Sequence, residues 1–118
     1  RRQRQMCIRD RQHVRVVVSG RAPAWLGTAG AGDVLAGMLG ALLAQQDDED
    51  VSAPDVAACA AYLHGYAAAQ ASQSDQRGFT PPTIYGSDDR HLRTKLGHPI
   101  VASDVIGMIP ATFAELLS

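Results

Sequence analysis

Cysteine and lysine are scarce in this chain of 118 residues. Its two cysteines are Cys7 and Cys59, and its single lysine is Lys95. Two cysteines alone, one of them among the first eleven residues, suggest neither an oxidised compartment nor a metal site. The first eleven residues also lack the apolar stretch and the small-residue cleavage site of a secretory signal. The cytoplasm is therefore the expected compartment, and no metal ligands are predicted.

Aromatic residues make up only 5% of the chain, and none of them lies in the first 21 residues. That stretch carries most of the arginines, but it offers no ring to stack on a base and no fold motif of nucleic-acid binding. Nucleic acid is therefore not an expected partner. Residues 1–11 show neither helical nor strand periodicity and resemble translated adaptor sequence. We treat them as a non-native arm and residues 12–118 as part of a single domain.

An uninterrupted hydrophobic run of membrane-spanning length is also missing. The nearest approach is residues 24–44, which carry one charge, Asp33, close to the middle. A central Asp costs roughly 2.5–3.5 kcal/mol on membrane-insertion scales. The small residues around Asp33 are more typical of a turn followed by a buried helix. No membrane partner is predicted, and a hydrophobic content of 46% is enough for a folded core.

The hydrophobic pattern predicts an α/β chain that is mostly helical. Residues 13–19 contain three consecutive valines, which predicts one core strand. A glycine-rich loop follows, and a helix opens at Asp33. Apolar residues surround most of the circumference of that helix, so we expect it to be buried. Its glycines Gly37 and Gly40 suggest close approach by a neighbouring element.

Two further helices are predicted. Ser52 is a suitable N-cap for an alanine-rich helix that ends near Ser72. Residues 74–99 are polar and rich in glycine and proline, which indicates an exposed insertion. In the last helical segment we expect Ser103 as N-cap, with Asp104 in the first turn. Pro110 is expected to divide that segment into two short pieces.

The order of strand, glycine-rich turn and buried helix makes an anion site physically possible. Backbone N–H groups of Gly30, Ala31 and Gly32 can form a concave nest, and the helix that follows adds positive potential. Asp33 would repel a phosphate there unless it acts on the other reactant, by orienting or deprotonating a hydroxyl that attacks the phosphate. The alternative is that Asp33 only caps the helix and that the glycines only permit packing.

Three other residues have both a functional and a structural interpretation. His64 can titrate near neutrality, but in an alanine-rich helix a buried, hydrogen-bonded packing residue is the favoured interpretation. Asp104 is interpreted as a first-turn helix residue rather than a catalyst. Trp25 could stack on a ring or fill a hydrophobic gap in its loop.

Residues 26–37, LGTAGAGDVLAG, resemble the signature of NAD(P)H-hydrate dehydratases. Two further blocks resemble the same family in the same order. The sequence AYLHG at residues 61–65 resembles the family's next helix, and VASDVI at residues 101–106, with Pro110, resembles its C-terminal segment. Three blocks in order are more specific than the GxGD motif alone, which many sugar and vitamin kinases share.

The resemblance implies the C-terminal portion of a ribokinase-like α/β fold. It implies a lyase that repairs hydrated NADH or NADPH and consumes ADP or ATP. Gly30, Ala31 and Gly32 would bind the nucleotide phosphate, and Asp33 would be both the catalytic and the substrate-binding residue. Mg²⁺ is an implied cofactor, and none of its ligands can be identified in this chain.

The chain departs from the family pattern in two respects. Residues 24–27, AWLG, stand where the family usually has Pro-Gly-Leu-Ala. The family's domain is also more than twice as long, and its upstream part supplies a Lys-containing nucleotide loop that is not visible here. We therefore expect residues 12–118 alone to be inactive. Their uncovered apolar faces could associate, so a homo-oligomer is a possible state. The alternatives are another ribokinase-like kinase, for hydroxymethylpyrimidine or a sugar, and a non-catalytic helical interaction module.

Overall fold

A computed structural model describes residues 17, 22–47, 50–75 and 95–118 of the chain. These residues form three α-helices and one short 3-10 helix, and no strand occurs among them. The 3-10 helix is Ala24–Leu26, and the α-helices are α1 (Ala31–Ala44), α2 (Ala53–Ser72) and α3 (Ala102–Leu117). The described part is therefore mostly helical, as the sequence predicted.

The predicted core strand at residues 13–19 lies outside the described residues, with the exception of Val17. Val17 belongs to no regular element and is 47% exposed. The strand therefore stays a prediction. The greater part of the predicted polar insertion, residues 76–94, also lies outside the described residues.

Helix α1 begins at Ala31, two residues before the predicted start at Asp33. Gly30 precedes it in a left-handed conformation with φ of 85°, and the carbonyl of Gly30 accepts the N–H of Val34 at 3.2 Å. Alanine is the best helix former and Ala31 is buried, so both local propensity and packing favour the earlier start. The turn itself is therefore confined to residues 28–30.

The prediction that α1 is buried all round is wrong for the described part of the chain. Ala31 is its single buried residue, and its other apolar side chains are half-buried or exposed. The expected close neighbour of Gly37 and Gly40 is missing too, because a Cβ at either position would meet no described atom within 4 Å. An apolar helix thus shows much of its surface.

Helix α2 forms the centre of the core. Its predicted cap is confirmed: the Ser52 hydroxyl accepts the N–H of Asp55 at 3.4 Å, and the helix ends at Ser72 as expected. Its small side chains are enclosed, and Ala67 and Ala68 have no exposed surface. Those two alanines pack with Ile100 and Val105. Small side chains let α2 lie close to its neighbours.

Helix α3 differs from the prediction in two ways. It begins at Ala102, so Ser103 is not its N-cap, and it continues through Pro110 to Leu117 without a break. Asp104 does lie in the first turn, where its carboxylate accepts the backbone N–H of Val101 at 2.9 Å. Proline removes one helical hydrogen bond. Packing compensates for that loss, because Val105 and Thr112, on either side of Pro110, are both buried.

Polar contacts fix the far end of α3 to α2. The hydroxyl of Tyr66 donates to Glu115 Oε1, and the amide of Gln70 donates to Glu115 Oε2, each at 2.6 Å. The Thr112 hydroxyl lies 2.6 Å from Gln70 Oε1 and 2.9 Å from the carbonyl of Met108. These hydrogen bonds set the register between the two helices.

The segment before α3 is anchored to the end of α2. The carbonyl of Ser72 accepts the N–H of His98 at 2.8 Å, and the Asp75 N–H donates to the carbonyl of Lys95 at 2.9 Å. Gly97 lies between these anchors with φ of 83°. The Lys95 side chain is exposed, as expected of a surface charge.

Candidate functional site

The turn at residues 28–30 lies against the first residue of α3. The N–H of Ala31 donates to the carbonyl of Thr28 at 3.3 Å, which closes the turn. A Cβ added to Gly30 would lie 3.2 Å from the Cβ of Ala102. Gly30 therefore meets two requirements at once, a positive φ and a close neighbour.

In the structure, not all N–H groups of the predicted nest at Gly30, Ala31 and Gly32 are available to an anion. The Ala31 N–H is already used within the turn, and the Val34 N–H is bonded to Gly30. Between them, the N–H groups of Gly32 and Asp33 have no acceptor among the described residues. Unpaired N–H groups in the first helical turn are the usual donors to a bound anion. The available pair is thus Gly32 and Asp33.

Gly32 has no structural need to be glycine in the described part of the chain. It lies inside α1, and a Cβ at this position would meet nothing within 4 Å. In a helix, alanine is more stable than glycine by roughly 0.5–1 kcal/mol. The open space beside Gly32 leaves its backbone accessible to a ligand.

Asp33 lies at the edge of an open cavity between the three α-helices. The cavity has a volume of about 660 Å³, within the usual range for small-molecule pockets. Its lining is almost entirely apolar and includes Val34, Met38, Leu42, Leu63, Ile109 and Phe113. Gln45 is the other polar residue among those that line it. Asp33 therefore belongs both to the lining of this cavity and to the first turn of α1, in which the N–H groups of Gly32 and Asp33 have no acceptor among the described residues.

His64 is buried in α2, with 6% of its surface exposed. The backbone of Ala31 lies near the ring, while Nε2 has no hydrogen-bond partner among the described residues. Burial lowers the pKa of His64 from its usual value, and the nearby Ala31 backbone offsets part of that effect. The predicted burial is confirmed. The predicted hydrogen bond stays a prediction. Sequence reasoning missed its proximity to the start of α1, because no local pattern indicates it.

Comparison with known families decides where this chain belongs. The sequence model of the NAD(P)H-hydrate dehydratases matches residues 4–87. The chain belongs to that family. The family implies a ribokinase-like fold for the domain, as the resemblance predicted. The match includes the turn, Asp33 and His64. It begins within the arm of residues 1–11 and ends before the third block at residues 101–106. No curated protein and no solved structure matches the chain.

The family membership gives the other candidate residues a context. Trp25, at the place where this chain departs from the family pattern, is 36% exposed, and its indole N–H donates to the carbonyl of Leu96 at 2.8 Å. The ring therefore has a fixed orientation near the protein surface. The Asp104 carboxylate accepts the backbone N–H of Val101 at the start of α3, as expected of a first-turn helix residue. Cys59 is an exposed free thiol.

The described ranges, residues 22–47, 50–75 and 95–118, contain neither a metal-binding cluster nor a membrane-spanning helix. Among those residues, no three His, Cys, Asp or Glu side chains come together in a way that could hold a metal ion. None of the helices there has both the length and the apolar character to cross a membrane.

Proposed function

We propose that this chain carries the phosphate-binding turn and the catalytic carboxylate of an enzyme that restores NADH or NADPH from its hydrate at the expense of ADP or ATP. The observation that supports it most is the first turn of α1. The N–H groups of Gly32 and Asp33, which have no acceptor among the described residues, and the Asp33 carboxylate all belong to this turn. The family match supplies the substrate class.

The first turn of α1 suits a terminal phosphate of a nucleotide. The N–H groups of Gly32 and Asp33 would donate to phosphate oxygens, and the helix dipole adds to their positive potential. Without a Cβ at Gly32, the phosphate can come close to the backbone. Gly30 and Ala31 would contribute by holding the turn rather than by donating their own N–H groups.

Asp33 would act on the hydroxyl of the hydrated nicotinamide ring. The hydroxyl oxygen attacks the terminal phosphorus, Asp33 accepts the hydroxyl proton, and the bond between that phosphorus and the rest of the nucleotide breaks. Phosphate then leaves with the C–O bond electrons, and loss of a proton from the adjacent carbon restores the ring double bond. Phosphoryl transfer has a loose transition state, so a carboxylate of ordinary basicity is sufficient.

The described residues give no evidence of a binding site for Mg²⁺. Asp33 is the single carboxylate in the first turn of α1, and no cluster of ligands accompanies it among the residues with described positions. Magnesium usually keeps several waters and binds through one or two carboxylates and the phosphates themselves. We derive no catalytic step from it.

We propose that this chain acts as the C-terminal part of a larger catalytic domain. The apolar surface of α1 and the open cavity support this, because most of an almost wholly apolar helix is uncovered among the described residues. Ile106, which lines the cavity, is 54% exposed. Covering this surface with the remainder of the domain would remove a large apolar area from water.

The family match favours a dehydratase over a hydroxymethylpyrimidine or sugar kinase. The glycines of α1 argue against the alternative of a non-catalytic helical interaction module. If they served only contact between helices, Gly32, Gly37 and Gly40 would each have a close neighbour, and within the described residues none has one.

The pair Gly32→Ala and Gly40→Ala separates a ligand role from a helix role. Both positions lie in α1, where alanine is the better helix former by roughly 0.5–1 kcal/mol, and an added methyl group would meet no described atom at either one. We expect Gly32→Ala to weaken ADP or ATP binding by about tenfold or more, a loss of about 1.4 kcal/mol. Gly40→Ala should leave it unchanged. Calorimetric titration and thermal unfolding of the full-length protein measure both quantities. Equal nucleotide affinity in the two variants would contradict a phosphate at Gly32.

A further inference from the structure

Trp25 makes a side-chain hydrogen bond that joins two distant parts of the chain close to the candidate site. Its indole N–H donates to the carbonyl of Leu96 at 2.8 Å, although the two residues are 71 positions apart. Only Gly27 separates the 3-10 helix that carries Trp25 from the turn at residues 28–30. The family usually has glycine at this place, which offers no side chain for such a bond. The bond is therefore a feature of this chain.

The acceptor of the bond belongs to a segment that is anchored to the end of α2. The Lys95 N–H donates to Asp75 Oδ2 at 3.1 Å, and the Lys95 carbonyl accepts the N–H of Asp75 at 2.9 Å. The N–H of His98 donates to the carbonyl of Ser72 at 2.8 Å. Leu96 lies between these two anchors, so its carbonyl is a fixed point of attachment for the 3-10 helix.

The loop before α1 and the segment before α3 are held together at three points. The first is the Trp25 hydrogen bond. The second is the turn, where an added Cβ at Gly30 would lie 3.2 Å from the Cβ of Ala102. The third is Leu26, which packs against the core cluster that contains Ile100. The Trp25 bond is the directed, polar contact of the three, and it fixes the loop just ahead of the turn.

We propose that Trp25 is a positioning residue for nucleotide binding: its indole N–H, bonded to Leu96, keeps the turn at residues 28–30 in its phosphate-binding conformation. The inference rests on the proposed function. Trp25 touches neither phosphate nor substrate in this role. A loop that already has its binding conformation loses less entropy when the ligand binds. Breaking the bond weakens binding, because a smaller fraction of the molecules then has the turn in place.

Two substitutions of Trp25 in the full-length protein separate its donor from its ring. Phe keeps a six-membered ring but has no N–H group, whereas His has a smaller ring whose N–H can take the place of the indole N–H. We expect Trp25→Phe to raise the dissociation constants of ADP and ATP by about three- to tenfold, the range of one lost hydrogen bond. Trp25→His should stay within about twofold of the wild type at about pH 8, where an imidazole is mostly uncharged. The kcat at saturating nucleotide should change little, because Asp33 is untouched.

Tyr66→Phe is the matched control, because it also removes one donor from an aromatic side chain. The Tyr66 hydroxyl donates to Glu115, near the end of α3 that is remote from the turn. This variant should leave nucleotide affinity unchanged. If the Trp25 ring acted by packing or by stacking on a base, affinity would be kept in Trp25→Phe and lost in Trp25→His. Affinity kept in Trp25→Phe, or lost in a folded Trp25→His variant, would overturn the proposal.

Hydrogen exchange of the Trp25 indole N–H tests the same coupling in the wild-type protein. Coupling between two sites is reciprocal, so a bond that strengthens nucleotide binding is itself strengthened by bound nucleotide. We expect saturating ADP or ATP to slow exchange of the indole proton by about three- to tenfold, the same factor as in the affinities. An unchanged exchange rate would overturn the proposal even where a variant does not fold. A wild-type protein that binds no nucleotide would instead refute the proposed function.

Discussion

Replacing Asp33 with Asn is expected to lower turnover of NAD(P)H hydrate by at least about 100-fold, the usual contribution of a general base. Asn has nearly the same size and keeps the first turn of α1 intact, but it cannot accept the proton of the attacking hydroxyl. ADP or ATP affinity should stay within about threefold, because the N–H groups of Gly32 and Asp33 remain in place. Steady-state kinetics and nucleotide titration of the full-length protein separate these two effects.

The matched control for Asp33→Asn is Asp104→Asn. Asp104 also lies in the first turn of a helix, but its carboxylate is bonded to the Val101 N–H. Losing part of that cap should cost about 0.5–1 kcal/mol of stability and leave kcat unchanged. Near-normal turnover of Asp33→Asn would remove Asp33 from the reaction. Equal losses in both variants would indicate a general effect on folding.

Gly97→Ala is expected to have the largest effect on stability. An added Cβ would lie 2.3 Å from the carbonyl oxygen of Ser72, and φ is 83°. The left-handed conformation alone costs roughly 1–2 kcal/mol for an L-residue. Because the obstacle is backbone, the chain must also move, and the total loss should exceed about 3 kcal/mol. Thermal or urea unfolding of the full-length protein measures this.

Gly107→Ala controls for the exchange of glycine for alanine. Gly107 lies in α3 with nothing within 4 Å of an added Cβ, so the variant should be as stable as the wild type or more so. Movement at Gly97 should also disturb Trp25, whose indole is bonded to the neighbouring Leu96 carbonyl. Trp25 is the single tryptophan of the chain, so its fluorescence reports the change directly. A Gly97→Ala variant with normal stability would contradict the described anchor.

Local chemistry predicted α2 well and α3 less well. Ser52, Pro54 and Asp55 form a start signal that acts within one helical turn, and the structure confirms the cap. Pro110 is also a local signal, but the helix continues through it because packing on both sides outweighs one missing hydrogen bond. Sequence patterns contain the local preference and not the strength of the tertiary contacts.

The sequence motif identified the residues of the candidate site but not their geometry. The glycine-rich pattern identified residues 30–33, whereas the N–H groups without an acceptor among the described residues are those of Gly32 and Asp33. His64 lies near the backbone of Ala31, 33 positions away in the sequence, and no periodicity encodes that proximity. The positive φ of Gly97 has the same character, because it depends on where the end of α2 lies.

The hydrophobic pattern of α1 predicted a buried helix, and that prediction is wrong for the described part of the chain. Its apolar residues cover most of the helix, yet only Ala31 is buried in the described part. A helix that is apolar on all sides is stable when other segments pack against it, but its pattern does not indicate which segments they are. This difference between pattern and burial supports a larger catalytic domain more directly than any single residue does.

The most direct test is incubation of the full-length protein with NADH hydrate or NADPH hydrate and either ADP or ATP. We expect nucleotide-dependent recovery of dihydronicotinamide absorbance, with one phosphate released per ring restored. The Asp33→Asn variant should show no recovery under the same conditions. A stable phosphorylated product, or no reaction with either hydrate and either nucleotide, would contradict a hydrate dehydratase.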